Sequence, residues 1–363
     1  TQFNQSFNKT GDFSSEGIIN VEGKSDVGAA YGIHLGENGE SKQEVYNAMG
    51  YNSTGTINVS NTQGGSAYGI YSQASTYTDK DSDNNAVIVY NNVYNAFRSS
   101  QKYGGDNVAA VGNIEVSSTG RSSNLQSLVG AYSAGNMFNA YANSGADVKL
   151  ESIGNITVND NSTTLNMVVR GIESDGVTIA NAYNMGKNKN TDTNVVGNIT
   201  VNVNGTKSGT VGEAAGIYTK ADTSQNAKIY NAALVNDQSK VKGTITVQSP
   251  LNAYALSKMY GIYAESTGEN AQPKNVYNAY YENLDGISAG SVHGIINVKA
   301  GNQSQANEAA YYGIYVDNGT AYNAYSTNPD ANVVGEINVD VFGSNRNSIA
   351  VGMYGNNALL DNS

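Results

Sequence analysis

The sequence predicts an all-β chain wound as a right-handed parallel β-helix, a solenoid of about eight repeats of 38–57 residues. Three observations predict it. Three short phrases recur in fixed order along the chain, and the first of them alternates apolar and polar residues with the two-residue period of a strand. The stretches between phrases vary in length and are rich in Gly, Asn, Ser and Asp, as loops on a repeated scaffold are.

The first phrase reads Gly-x-Ile-x-Val in eight copies, from "GIINV" at Gly17 to "GEINV" at Gly335. Alternate residues of a strand share a face, so Ile and Val point to one side and the Asn, Thr or Glu between them to the other. Stacking the copies as parallel strands about 4.8 Å apart builds an interior ladder from Ile19, Ile57, Ile114, Ile156, Ile199, Ile245, Ile296 and Ile337, with a Val ladder beside it. Eight coils wound once per repeat give a rod of roughly 35 to 40 Å, and twice that if each repeat winds twice. A sandwich of regular strands fits identical phrases at so long a period poorly.

The second phrase centres on Gly followed by an apolar residue and usually Tyr, as in "AYGIYS" and "YYGIYV". The third centres on Asn-Ala, as in "VYNAF" and "AYNAY", in seven copies, with an eighth, degraded copy expected in "NNALL" near the end. Gly permits a sharp bend, Ala leaves room for a large neighbour, and Asn tolerates left-handed backbone and can hydrogen-bond to its copy one coil away. Asn47, Asn95, Asn139, Asn181, Asn231, Asn278 and Asn323 therefore form a ladder, and the alternation leaves open whether it lies inside or outside. Residues 1–16 read as a cap or lead-in, 17–355 as β-helix repeats and 356–363 as the truncated end of a fragment.

Composition narrows the function. The formal net charge of −11, with no local cluster of Lys or Arg, disfavours nucleic acid as a partner. No apolar run is long enough to cross a membrane as a helix, so no membrane insertion is expected of this segment. The absence of cysteine excludes disulfide and thiol chemistry.

Tandem Gly-Thr-Ile-Asn-Val and Tyr-Gly-Ile-Tyr units in an acidic, cysteine-free chain rich in Gly, Asn, Ser and Thr resemble the passenger region of a bacterial autotransporter, over about residues 17–355. That resemblance implies export across the outer membrane to the bacterial surface, a signal upstream and a C-terminal barrel downstream of this segment, and adhesion or aggregation as the activity.

Catalytic and metal motifs are sparse. "GISAG" at 286–290 has the spacing of a hydrolase nucleophile, with His293 close by, yet lies in a connector of a chain without helical period, where that motif needs a strand-to-helix elbow. Asp79, Asp81 and Asp83 alternate as in a calcium loop, but Asn84 stands where the loop needs Gly and Tyr90 where it needs Glu. His34 and His293 belong to different phrases and share no metal; no metal or other cofactor is expected. Glu115, Glu173 and Glu336 are scattered, which weighs against a glycan-active lyase or hydrolase, the alternative that β-helices also carry.

The surface with the most potential is a column two residues after the second-phrase Gly. It reads His34, Tyr71, Tyr132, Glu173, Tyr218, Tyr263, Tyr315 and Tyr354. Outward tyrosines on a rigid sheet offer area and a hydroxyl tip to a sugar or a protein, and equally stabilise the sheet by stacking on one another. The expectation is a non-enzymatic adhesin or self-association module whose binding residues are Tyr71, Tyr132, Tyr218, Tyr263, Tyr315 and Tyr354 and whose partner is a host-cell or bacterial surface glycan or protein. An inert stalk presenting another domain is a further alternative.

Overall fold

The structure, a computed structural model, describes residues 2–7, 15–37, 41–50, 52–99, 108–144, 149–163, 167–186, 193–205, 212–220, 225–236, 238–249, 256–266, 272–283, 290–301, 309–342 and 348–363. The chain is a parallel β-helix in which each repeat winds once. The eight first-phrase strands, Ser15–Gly23 through Asn332–Val341, form one eight-stranded parallel sheet in chain order. Second- and third-phrase strands form the other two faces. These count as one 15-stranded sheet because Ala309–Ser326 runs through the bend between them without a break. Coils are numbered 1 to 8 below, each starting at its first-phrase strand.

The phrases stack in register. Ile114 faces Ile156 and Ile156 faces Ile199 across parallel strands, with Val116, Val158 and Val201 in the same rows. Along Leu150–Asp160 every second residue is buried, and Ile156 and Val158 are among them. These side chains join the inward residues of the other two faces in one continuous core running the length of the rod.

Two glycine positions explain the narrow bore. The second-phrase Gly faces inward, so close to the Ile of the following first phrase that a Cβ on Gly171 would take the place of Ile199 Cγ2. The first-phrase Gly faces inward within its strand, so close to the third face that a Cβ on Gly197 would overlap the Asn181 carbonyl. Any larger residue at either position has to push backbone aside.

The Asn ladder lies inside. Asn47, Asn95, Asn139, Asn181, Asn231 and Asn278 are fully buried. Each Nδ2 donates to the carbonyl of the first-phrase Gly on its own chain path and to Oδ1 of the Asn one coil on, as Asn139 does to Gly154 O at 2.9 Å and Asn181 Oδ1 at 2.9 Å. The side chain thus supplies a donor to that buried carbonyl. All these amides point the same way, which aligns their dipoles along the rod.

The eighth member is not where "NNALL" placed it. Ala321 pairs with Leu360 and Tyr322 with Asp361, so Asn362 takes the ladder position and accepts from Asn323 Nδ2 at 3.0 Å. The Asn of "NNALL" serves the corner instead: Asn357 (φ 49°) sits one coil beyond Asn318 (φ 57°), both left-handed at the bend between second and third faces. Asn suits that conformation better than other non-Gly residues. At the other end Gln2–Phe7 adds a strand to the third face, with Phe3 opposite Tyr46 and Gln5 opposite Ala48.

Candidate binding face

The outward surface of the second face follows from its Gly. Strand pairing runs through the residues on either side of Gly130 and Gly171 and skips the glycines themselves, which resets the alternation. The residue before the Gly and the residue two after it therefore both point outward, three apart in sequence. The result is two adjacent outward columns in place of the one that the sequence suggested. The second holds Tyr31, Tyr68, Val129, Arg170, Ala215, Tyr260, Tyr312 and Val351.

The six predicted tyrosines occupy one column, in two groups. Tyr71 stacks on Tyr132 with ring centroids 4.8 Å apart. Tyr218, Tyr263, Tyr315 and Tyr354 stack successively at 4.7, 4.9 and 5.2 Å. Each stacked pair adds roughly 0.5–1.5 kcal/mol beyond its burial. Within the groups the ring faces cover one another, so a sugar ring finds edges and hydroxyls there rather than free faces. Exposure rises toward the end of the column, from 9% at Tyr218 to 40% at Tyr354.

Coil 4 divides the two groups. It replaces both aromatic positions with an ion pair, Arg170 Nη1 to Glu173 Oε1 at 2.5 Å, and Arg170 Nη2 also reaches Glu213 Oε1 at 3.5 Å. The guanidinium lies 3.4 Å from the centroid of the Tyr218 ring. Glu173, which the sequence left isolated, thus meets an acid of the next coil on a shared cation. Both carboxylates are held by the guanidinium rather than facing each other across a cleft.

Carboxylates also fix the hydroxyls. Tyr132 donates to Asp175 Oδ2 at 2.9 Å, and Tyr263 donates to Glu265, which Lys220 meets at 2.9 Å. Burial and these negative neighbours raise the pKa of Tyr132 and Tyr263. Burial also pushes Tyr218 up, to about 12, although Arg170 opposes it. Burial works against ionisation of Glu265, but the hydrogen bonds from Tyr263 and Lys220 win and hold its carboxyl below the usual range.

The third face carries an aromatic surface that the sequence reading missed. Its rings are one before and two after the ladder Asn, as in Tyr94 and Phe97 or Tyr277 and Tyr280, and most are buried. The signal was present in "VYNAF" and "VYNAY". Simple alternation puts positions three apart on opposite sides of a strand, so the two ring columns do not show as one surface in the sequence.

The first face is flat and polar. Asn20 and Asn58, then Asn113, Asn155 and Asn198, hydrogen-bond along its outside at 2.9–3.0 Å. A shallow groove lined by Asn20, Glu22, Asn58, Ser60, Glu115 and Ser117 crosses its first three coils.

The remaining candidates separate. Ser288 of "GISAG" lies outside the described residues. His34 stacks on Tyr31 on the second face, whereas His293 meets Glu336 at 2.8 Å on the first. Asp81 Oδ1 accepts from the backbone N–H groups of Asp83 and Asn85, closing the turn of an exposed hairpin, Thr76–Lys80 with Ala86–Tyr90. Among the described residues no group of three or more His, Asp or Glu is placed to hold a metal ion.

No protein-family description, no curated protein and no solved structure matches the chain.

Proposed function

We propose that the chain is a non-enzymatic adhesin or self-association module of the bacterial cell surface, exported across the outer membrane as the autotransporter-like phrases imply. It binds a host-cell or bacterial surface glycan or protein by many weak contacts along its length, summed by avidity when many copies are displayed. The observation that supports this reading is the second face, where from coil 5 to coil 8 one stacked outward tyrosine per coil offers its edge and hydroxyl, with Glu213 and Glu265 beside the column.

The test keeps the stacking and removes the hydroxyls. Bacteria displaying the protein with Tyr315→Phe and Tyr354→Phe together should adhere or autoaggregate less than those displaying the parent, with an unchanged melting temperature. Unchanged adherence would move the contact to the polar first face or the hairpin. A parent that neither adheres nor aggregates would favour the inert stalk.

A further inference from the structure

The groove on the first face is built by the sequence of one outward column, five residues after the first-phrase Gly. In coils 4 to 6 that column holds Asn159, Asn202 and Gln248, whose amides hydrogen-bond in a row at 2.8 Å. In coils 2 and 3 it holds only Ser60 and Ser117, paired across neighbouring strands, where every other coil carries a longer side chain. Two hydroxymethyl groups in place of two amides leave a depression of about 300 Å³, with Val21 and Val59, whose side chains point inward, along its floor. That volume is at the lower end of small-molecule sites, which run from about 300 to 1,000 Å³.

Hydrogen bonds between coils fix the opposite wall. Asn58 Nδ2 donates to Asn20 Oδ1 at 2.9 Å, and Asn159 Nδ2 reaches diagonally to Glu115 Oε1 at 3.2 Å. Those contacts orient the side chains and leave Asn20 Nδ2 as a donor and Asn58 Oδ1 and Glu115 Oε2 as acceptors, with no hydrogen-bond partner among the described residues. The hydroxyls of Ser60 and Ser117 are likewise unpaired there. Glu22 stands at the coil 1 end, with Lys24 Nζ at 3.4 Å from its carboxylate.

We propose that this groove is a binding site for a neutral hexose unit of a surface glycan, separate from the tyrosine face and independent of it. A hexose ring carries adjacent hydroxyls that each donate and accept, which matches a wall of one amide donor, one amide acceptor and a carboxylate facing two serine hydroxyls. A sugar hydroxyl that donates to Glu115 makes the shorter, stronger bond of a charged acceptor. The same carboxylate and Glu22 repel a uronic acid or a sulfate ester, and the one cation beside the groove, Lys24, is already paired with Glu22. No aromatic ring lines the groove, so a single site binds in the millimolar range and many displayed copies supply avidity.

Saturation-transfer NMR on the full chain, with the methyl glycosides of glucose, galactose and mannose and with methyl glucuronide as probes, tests the assignment. At least one neutral glycoside should contact the parent, and the glucuronide should bind more weakly than it. Ser60→Asn with Ser117→Asn continues the amide row of coils 4 to 6 into the groove. This double variant should melt at or above the parent and bind the neutral glycoside about tenfold or more less tightly. Tyr315→Phe with Tyr354→Phe should leave that binding unchanged, which keeps the result separate from any role of the tyrosine face. Absence of contact with all three neutral glycosides, equal binding by the folded Ser60→Asn, Ser117→Asn variant, or tightest binding of the glucuronide would overturn the site.

Discussion

Gly171 lies against Ile199 across the bore, with the Gly216 carbonyl oxygen 2.7 Å from where a Gly171 Cβ would stand. Every second-phrase Gly from coil 1 to coil 7 faces the Ile of the following first phrase in this way. The Gly column and the Ile column are two halves of one packing solution: Ile fills the bore to the opposite backbone, and only Gly leaves it room.

Gly171→Ala should therefore destabilise by overpacking, by about 1–3 kcal/mol. The partner is testable by a double-mutant cycle in chemical denaturation. In an Ile199→Ala background the cost of Gly171→Ala should shrink. Strict additivity would mean that the two residues do not share the space.

Ile199→Asp places an unpaired charge in a core position that is 1% exposed and should cost about 4 kcal/mol or more, or abolish folding. Thr200→Asp, on the outward side of the same strand, should shift stability by no more than about 0.5 kcal/mol. Similar melting temperatures for the two would reverse the assignment of faces.

The ladder Asn makes a different kind of prediction. In Asn231→Leu the Gly243, Asn278 and Ile295 oxygens lose a donor, while Asn181 Nδ2 loses one acceptor and keeps the Gly197 carbonyl. At about 1–3 kcal/mol for each buried group left unpaired, the loss should exceed that of an ordinary core substitution of similar size. A near-neutral result would show that the amide chain contributes little net stability.

Alkaline pH should unfold the rod sharply. Burial raises the pKa values of Tyr218, Tyr277 and Tyr311 to about 12, and drives those of Tyr230, Tyr260 and Tyr280 upward as well, the last two groups' negative neighbours adding to it. The folded state thus favours the protonated phenols. The stability they contribute is fully present below the unfolded tyrosine pKa of about 10 and is lost as pH rises above it. Tyrosinate absorbance should appear together with loss of the β-sheet circular dichroism. Full tyrosine titration in a still-folded rod would contradict the burial of these columns.

Residue type and period alone determined the architecture. Ile and Val two apart, Gly two before the Ile, and the same phrase eight times leave few ways to bury the apolar side except stacking in register. The outward tyrosine column was legible for the same reason, since a strand's alternation is local. Three things waited for the tertiary structure. The second outward column and the aromatic third face depended on the parity reset at the Gly and at the Asn, which a two-residue period cannot reveal. The inside position of the Asn ladder depended on the meeting of its amides with the first-phrase Gly carbonyls, a contact between residues 12 to 17 apart beyond coil 1. The meeting of Arg170, Glu173 and Glu213 depended on coil stacking, which brings together side chains about 43 residues apart in the chain.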